Sequence, residues 1–157
     1  MRTPLRLLHA IAGFVSLVII LRFLGNTAYA ELYGDPAAIL AVKSWIVWRL
    51  PVLIVALAIA GATGFALAGP SPRGLAARKL ARMRVIAANG ILVLVPAAIF
   101  LFWKADAGEF DATFAALQTI EFIAGSVNIV LIGLSFRDGL RLTGRLRRRS
   151  DASARRS

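Results

Sequence analysis

Four long apolar runs dominate this chain, and no run holds more than one charge. A helix that crosses the roughly 30 Å hydrocarbon slab of a bilayer needs about 20 predominantly apolar residues. Four segments meet or approach that length: residues 7–28, broken only by Arg22; 44–68, broken only by Arg49; 85–103, uncharged; and 114–136, broken only by Glu121. The glycines and prolines inside them (Pro51, Gly61, Gly64, Gly90, Pro96 and Gly125) do not oppose this assignment, because membrane helices tolerate both.

Composition removes the main alternatives. Of 157 residues, 59% are hydrophobic and 17% charged. Soluble domains run near 45–50% and about 25%, and a chain this short cannot bury such an excess in one water-exposed fold. There are no cysteines, which excludes disulfides, thiolate metal sites and cysteine nucleophiles. The single histidine, His9, leaves no histidine pair for a zinc site.

The expected fold is therefore all-α: an integral membrane four-helix bundle with both termini cytoplasmic. Residues 1–145 form one transmembrane domain, and 146–157 a basic, disordered cytoplasmic tail. The connections agree. Asp35 is placed to cap the second helix with Pro36 at its first position. Gly69-Pro70-Ser71-Pro72 stops it, Gly108 bends the third connection, and Asp111 is placed to cap the fourth helix. The N-terminus also carries a feature of secretory signals, Ala28-Tyr29-Ala30 after an apolar run. Arg22 and the distance to that site favour a retained first helix over cleavage after Ala30.

Orientation follows from the cations. The net charge is +11, from 19 Lys+Arg against 8 Asp+Glu. Arg2 and Arg6, then Arg73, Arg78, Lys79, Arg82 and Arg84, then Arg137, Arg141, Arg145, Arg147, Arg148, Arg149, Arg155 and Arg156 all fall on one side of a four-span chain. The positive-inside rule makes that side cytoplasmic, as in a bacterial inner membrane. Trp45, Trp48, Trp103, Tyr29 and Tyr33 cluster at the opposite ends, as an interfacial aromatic belt does. The basic face attracts anionic headgroups by about 1 kcal/mol per residue. Nucleic acid is not expected, since no aromatic residue interleaves the basic tail to stack on bases.

Polar residues within the spans are the candidates for chemistry. From 122 to 136 there are only 15 uncharged residues, about 22 Å of helix, so the fourth helix extends outward past Glu121. A lone carboxylate at that depth costs several kcal/mol. Arg22 and Arg49 fall near the same level, so Glu121–Arg49 or Glu121–Arg22 is the expected ion pair. A second polar layer holds His9, Asn89 and Asn128, with the asparagines expected to hydrogen-bond between helices. Ala56, Ala60, Gly64 and Ala68 recur every four residues with Gly61 beside them, a small-residue seam. Gly125 is similar on the fourth helix, and the seams suit packing within the chain or in a homo-oligomer or membrane complex. The blocks Arg82-Met83-Arg84, Asn89-Gly90, Glu121 to Asn128 and Arg137-Asp138-Gly139 look motif-like.

The placement of His9 in Leu8-His9-Ala10-Ile11, with Arg49-Leu50-Pro51 and Lys79, resembles the small bacterial four-helix haem membrane proteins of the copper-resistance D and haem-dependent protoporphyrinogen oxidase type. The resemblance implies b-type haem, with His9 as ligand, and quinone-linked oxidation. There is no second histidine, so bis-histidine ligation requires a homodimer, and His9–Met83 is the alternative within one chain. From the residues themselves no cofactor and no catalytic residue is predicted. The leading expectation is a non-enzymatic accessory, assembly or interaction subunit. A haem- or quinone-linked redox protein and a small proton-coupled transporter using Glu121 are the alternatives.

Overall fold

The computed structural model describes residues 2–71 and 73–142. The expected basic tail at 146–157 lies outside the described residues. Four long helices carry the fold: α1 Arg2–Tyr33, α2 Pro36–Ala68, α3 Leu75–Asp106 and α4 Ala112–Leu142. Among the described residues there is no strand. All four helices are long and apolar enough to cross a membrane.

Each helix is longer than the apolar run that announced it. Hydropathy marks where a helix meets apolar surroundings, whereas backbone hydrogen bonding continues until a cap or turn ends it. Arg78, Lys79, Arg82 and Arg84, expected in the middle loop, stand on the first half of α3. Lys43, just ahead of the expected second span, stands well inside α2.

The helix ends follow their sequence signals. The Asp35 carboxylate accepts the Ala38 N–H at 2.8 Å, and Pro36 occupies the first turn of α2. Gly69 ends that helix at φ +74°, a left-handed value that L side chains resist. The Asp111 carboxylate accepts the Phe114 N–H at 2.9 Å and caps α4. The Ala28-Tyr29-Ala30 segment is helical, with Ala30 buried.

α3 contains one irregularity, a π-turn at Gly90–Leu94. The Val95 N–H reaches the Gly90 carbonyl five residues back. Pro96 follows directly. Proline cannot donate into the helical ladder and crowds the carbonyl four residues earlier, and a widened turn relieves that crowding.

The helices form a ring in which α1 packs on α2, α2 on α3, α3 on α4 and α4 on α1. Mid-bundle, one apolar side chain from each helix meets the others: Ile20, Leu53, Ile86 and Ile132. Toward the end that carries the α1–α2 and α3–α4 turns, Ile46 and Leu50 pack with Ala98, and Leu101 and Ala105 with Phe114. The exterior is the reverse of a water-soluble bundle. Leu7, Phe14, Val55, Leu92, Ile123 and Val130 are all exposed, while Lys43, Gln118, Asn128 and Asp138 are buried. Large apolar patches on an outer surface call for a covering phase or partner.

Candidate functional site

Two groups of buried and half-buried polar side chains form bars, each crossing the ring on a diagonal. The first lies near the aromatic end and joins α2 to α4. Lys43 is only 1% exposed and sits on the same stripe as buried Ile46, Leu50 and Leu53. Its Nζ donates to Glu121 Oε2 at 2.7 Å and to Gln118 Oε1. Gln118 Nε2 donates in turn to the same Glu121 oxygen at 3.0 Å. Both donors converge on Oε2. Glu31 of α1 has a buried Oε1 that finds no hydrogen-bond partner among the described residues.

This corrects the expected ion pair. Glu121 is held by Lys43, not by Arg49 or Arg22. Both arginines face outward, and the Arg49 guanidinium lies over the Trp45 ring at 4.3 Å from its centroid. Lys43 prevails through its position on the inward stripe of α2, which directs its long side chain across the bundle. A guanidinium at an outward position of the same helix cannot reach that interior.

The second bar lies near the basic end and joins α1 to α3. His9 Nδ1 is 3.0 Å from the Ala60 carbonyl oxygen and 3.2 Å from Thr63 Oγ1. Its Nε2 is 3.1 Å from Lys79 Nζ. An ammonium has only donors, so Lys79 donates to Nε2, and Nδ1 carries the proton that goes to Ala60. Beside this bar, Arg82 of α3 pairs with Asp138 of α4. The motif-like blocks around Arg82 and Asp138 thus meet in space. So do two others: Asn89 Nδ2 donates to the Ala124 carbonyl and to Asn128 Oδ1, each at 2.9 Å. Asn128 is 1% exposed. It is the α3–α4 link expected of these asparagines.

The small-residue seam turns inward. Ala56 and Ala60 are buried, and a Cβ at Gly64 would come within 2.5 Å of Met83 Cε. Gly125 is buried against Leu24. Gly61 differs: a Cβ there would meet nothing within 4 Å. It faces a cavity instead of a neighbouring helix.

That cavity holds about 320 Å³, and side chains of all four helices line it. Its lining is apolar apart from Thr27, Gln118, Glu121 and Asn128. Ile54 and Phe65 of α2 and Ile91 of α3 belong both to its wall and to the exposed outer surface. The cavity therefore opens sideways between α2 and α3.

The resemblance implies haem on His9, shared between two chains or completed by Met83, and within this one chain His9 already has partners. Both ring nitrogens of His9 are engaged within the bundle. The space beside it, bounded by Gly64, Lys79 and Met83, holds about 90 Å³, well below the roughly 300 Å³ at which ligand pockets begin. Among the described residues no group of three His, Asp or Glu side chains is placed to hold a metal ion.

Two of the bar residues, Lys43 and Gln118, were not candidates from the sequence, and Lys79 entered only through the resemblance. A usable signal existed for Lys43. Asp35-Pro36 fixes the start of α2, and seven residues of helix carry Lys43 about 10 Å inward. Comparison with protein-family models, with curated proteins and with solved structures returns no match.

Proposed function

We propose that the chain is a four-span protein of a bacterial inner membrane, with both ends cytoplasmic, acting as a non-enzymatic accessory or interaction subunit. One observation supports this most strongly. The bundle turns large apolar side chains outward on every helix and uses its buried polar ones on one another. Lys43, Glu121 and His9, the groups with the most chemical potential, all serve as cross-links between helices. Buried ionic pairs of this kind fix which helix sits where. The cations at the end bearing Arg6, Arg78, Arg84 and Arg137 supply the bias that keeps that end on the cytoplasmic side, where anionic headgroups meet it.

Topology is tested with reporters fused after Gly34, Gly74, Gly108 and Arg149. Cytoplasmic signals are expected after Gly74 and Arg149, and external signals after Gly34 and Gly108. An external signal after Gly74 overturns the arrangement. The subunit assignment is tested on protein purified in mild detergent from its own membranes. A defined complex that survives size-exclusion chromatography is expected. Visible haem absorbance or turnover by the isolated chain contradicts it.

A further inference from the structure

We propose that the cavity between α2 and α3 binds one membrane-soluble amphiphile, an aliphatic chain ending in an uncharged hydroxyl head, with the hydroxyl donating to Glu121. The proposal rests on the membrane reading above and adds a ligand to it.

Three observations carry it. The first is the wall. About 320 Å³ of space lined almost wholly by apolar side chains falls at the lower end of the ligand-pocket range, about 300–1,000 Å³. It opens between Ile54, Phe65 and Ile91, so an apolar chain reaches it from the side, without crossing water.

The second is the set of glycines. Gly61 of α2 and Gly90 of α3 both line the cavity, and a Cβ at either would meet nothing within 4 Å. Packed interiors leave few voids larger than a water. Here the two positions where a side chain would close the space carry none. Gly90 also opens the π-turn, and such widened turns recur at functional sites.

The third is the polar end. Lys43 and Gln118 both donate to Glu121 Oε2. The other oxygen, Oε1, accepts no hydrogen bond among the described residues and belongs to a side chain that lines the cavity. A free acceptor at the end of an apolar space selects a ligand with a donor. Lys43 already faces two carboxylates, Glu121 and Glu31, so a ligand carboxylate would add a third negative group beside a single ammonium. A hydroxyl meets the requirement without adding a charge.

The test uses the full chain in lipid nanodiscs and a dodecyl alcohol carrying a diazirine on its chain. Photolabelling is expected on α2 and α3 peptides containing Ile54, Phe65 or Ile91. Excess 1-dodecanol should suppress it. Dodecane and dodecanoate, which have no donor, should compete roughly tenfold less well, the value of a hydrogen bond to a charged acceptor. Gly61→Leu fills the space and should reduce labelling by about the same factor, whereas Gly25→Leu, at an exposed position outside the cavity, should not. If Gly61→Leu lowers helical content, Gly90→Ala replaces it. Equal competition by dodecane means that any lipid chain fills the space, and overturns the proposal. Preferential competition by dodecylamine or dodecanoate overturns the choice of head. Failure to enter nanodiscs at all counts against the membrane reading; entry without labelling counts against the ligand alone.

Discussion

Lys43 Nζ and Glu121 Oε2 lie 2.7 Å apart across a diagonal of the bundle, between two helices that are not neighbours in the ring. Removing one partner leaves the other charge buried and unpaired, at a cost of about 3–5 kcal/mol. Lys43→Met and Glu121→Met should each destabilise the protein by that order. The double substitution Lys43→Met with Glu121→Met should recover much of the loss, because hydrophobic replacement of a buried pair is often neutral. Thermal unfolding in detergent of the three variants closes the cycle. Additive losses would mean that the two side chains do not interact.

The asparagine link is weaker and should behave so. Asn89→Leu and Asn128→Leu each remove the bond between α3 and α4, at about 0.6–2 kcal/mol. Their double variant should cost less than the sum of the single ones, since the bond between them is shared, while Asn89 alone also holds the Ala124 carbonyl and Asn128 the Ile86 carbonyl. Unfolding midpoints of the set give the coupling directly.

At the other diagonal, Lys79 and the Ala60 carbonyl fix the His9 tautomer. With the ammonium donating to Nε2 at 3.1 Å, the proton of the neutral ring sits on Nδ1 and goes to the Ala60 carbonyl. Nitrogen NMR of selectively labelled histidine should show an Nδ1–H imidazole, and Lys79→Met should keep it, since the Ala60 carbonyl beside Nδ1 can only accept. An Nε2–H ring in the unaltered protein contradicts this geometry.

Asp111 lies in the turn between α3 and α4, fully exposed. The Phe114 N–H, and after it the Lys104 ammonium, stabilise its ionised form and hold its carboxyl below the ordinary value of 3.8. A depressed folded value means that the stabilisation is present above 3.8 and disappears as pH falls through the lower value. The protein should therefore lose stability on acidification in that window. Asp111→Asn, which keeps an acceptor for the cap but cannot ionise, should flatten that part of the profile. An unchanged profile would assign the loss to other carboxylates.

The four helices, the two aspartate caps and the use of Asn89 and Asn128 between helices were legible because each depends on local sequence or on a uniform apolar background, although the pairing of the two asparagines with each other was not. Nor was the partner of Glu121. Depth along a helix axis can be counted from residue numbers, but Lys43 and Arg49 differ by only about 9 Å of helix, a gap that long side chains can bridge. Choosing between them needs the rotation of the helix about its axis, which a nearly all-apolar run does not reveal. In a chain with apolar residues on every face, the polar residues are what mark the inward side. On α4, Gln118, Glu121, Asn128 and Ser135 do so at spacings of three, seven and seven. The cavity was illegible for a related reason: Gly61 reads as part of a packing seam until the opposite wall is seen to be missing.

The π-turn at Gly90–Leu94 has a consequence for the chain's tolerance of length changes. One residue of helix is worth roughly 100° of rotation, so the extra residue in that turn acts as a phase adjuster between the two halves of α3. With it, Lys79 and Ile86 on the first half share an azimuth with Ala98, Leu101 and Ala105 on the second. Excising any single residue from 90–94 would remove the extra one, restore a regular helix and leave the two halves in phase, whereas winding the turn into α-helix at full length would swing one half by roughly 100° away from the bundle axis. The turn stores one residue of slack.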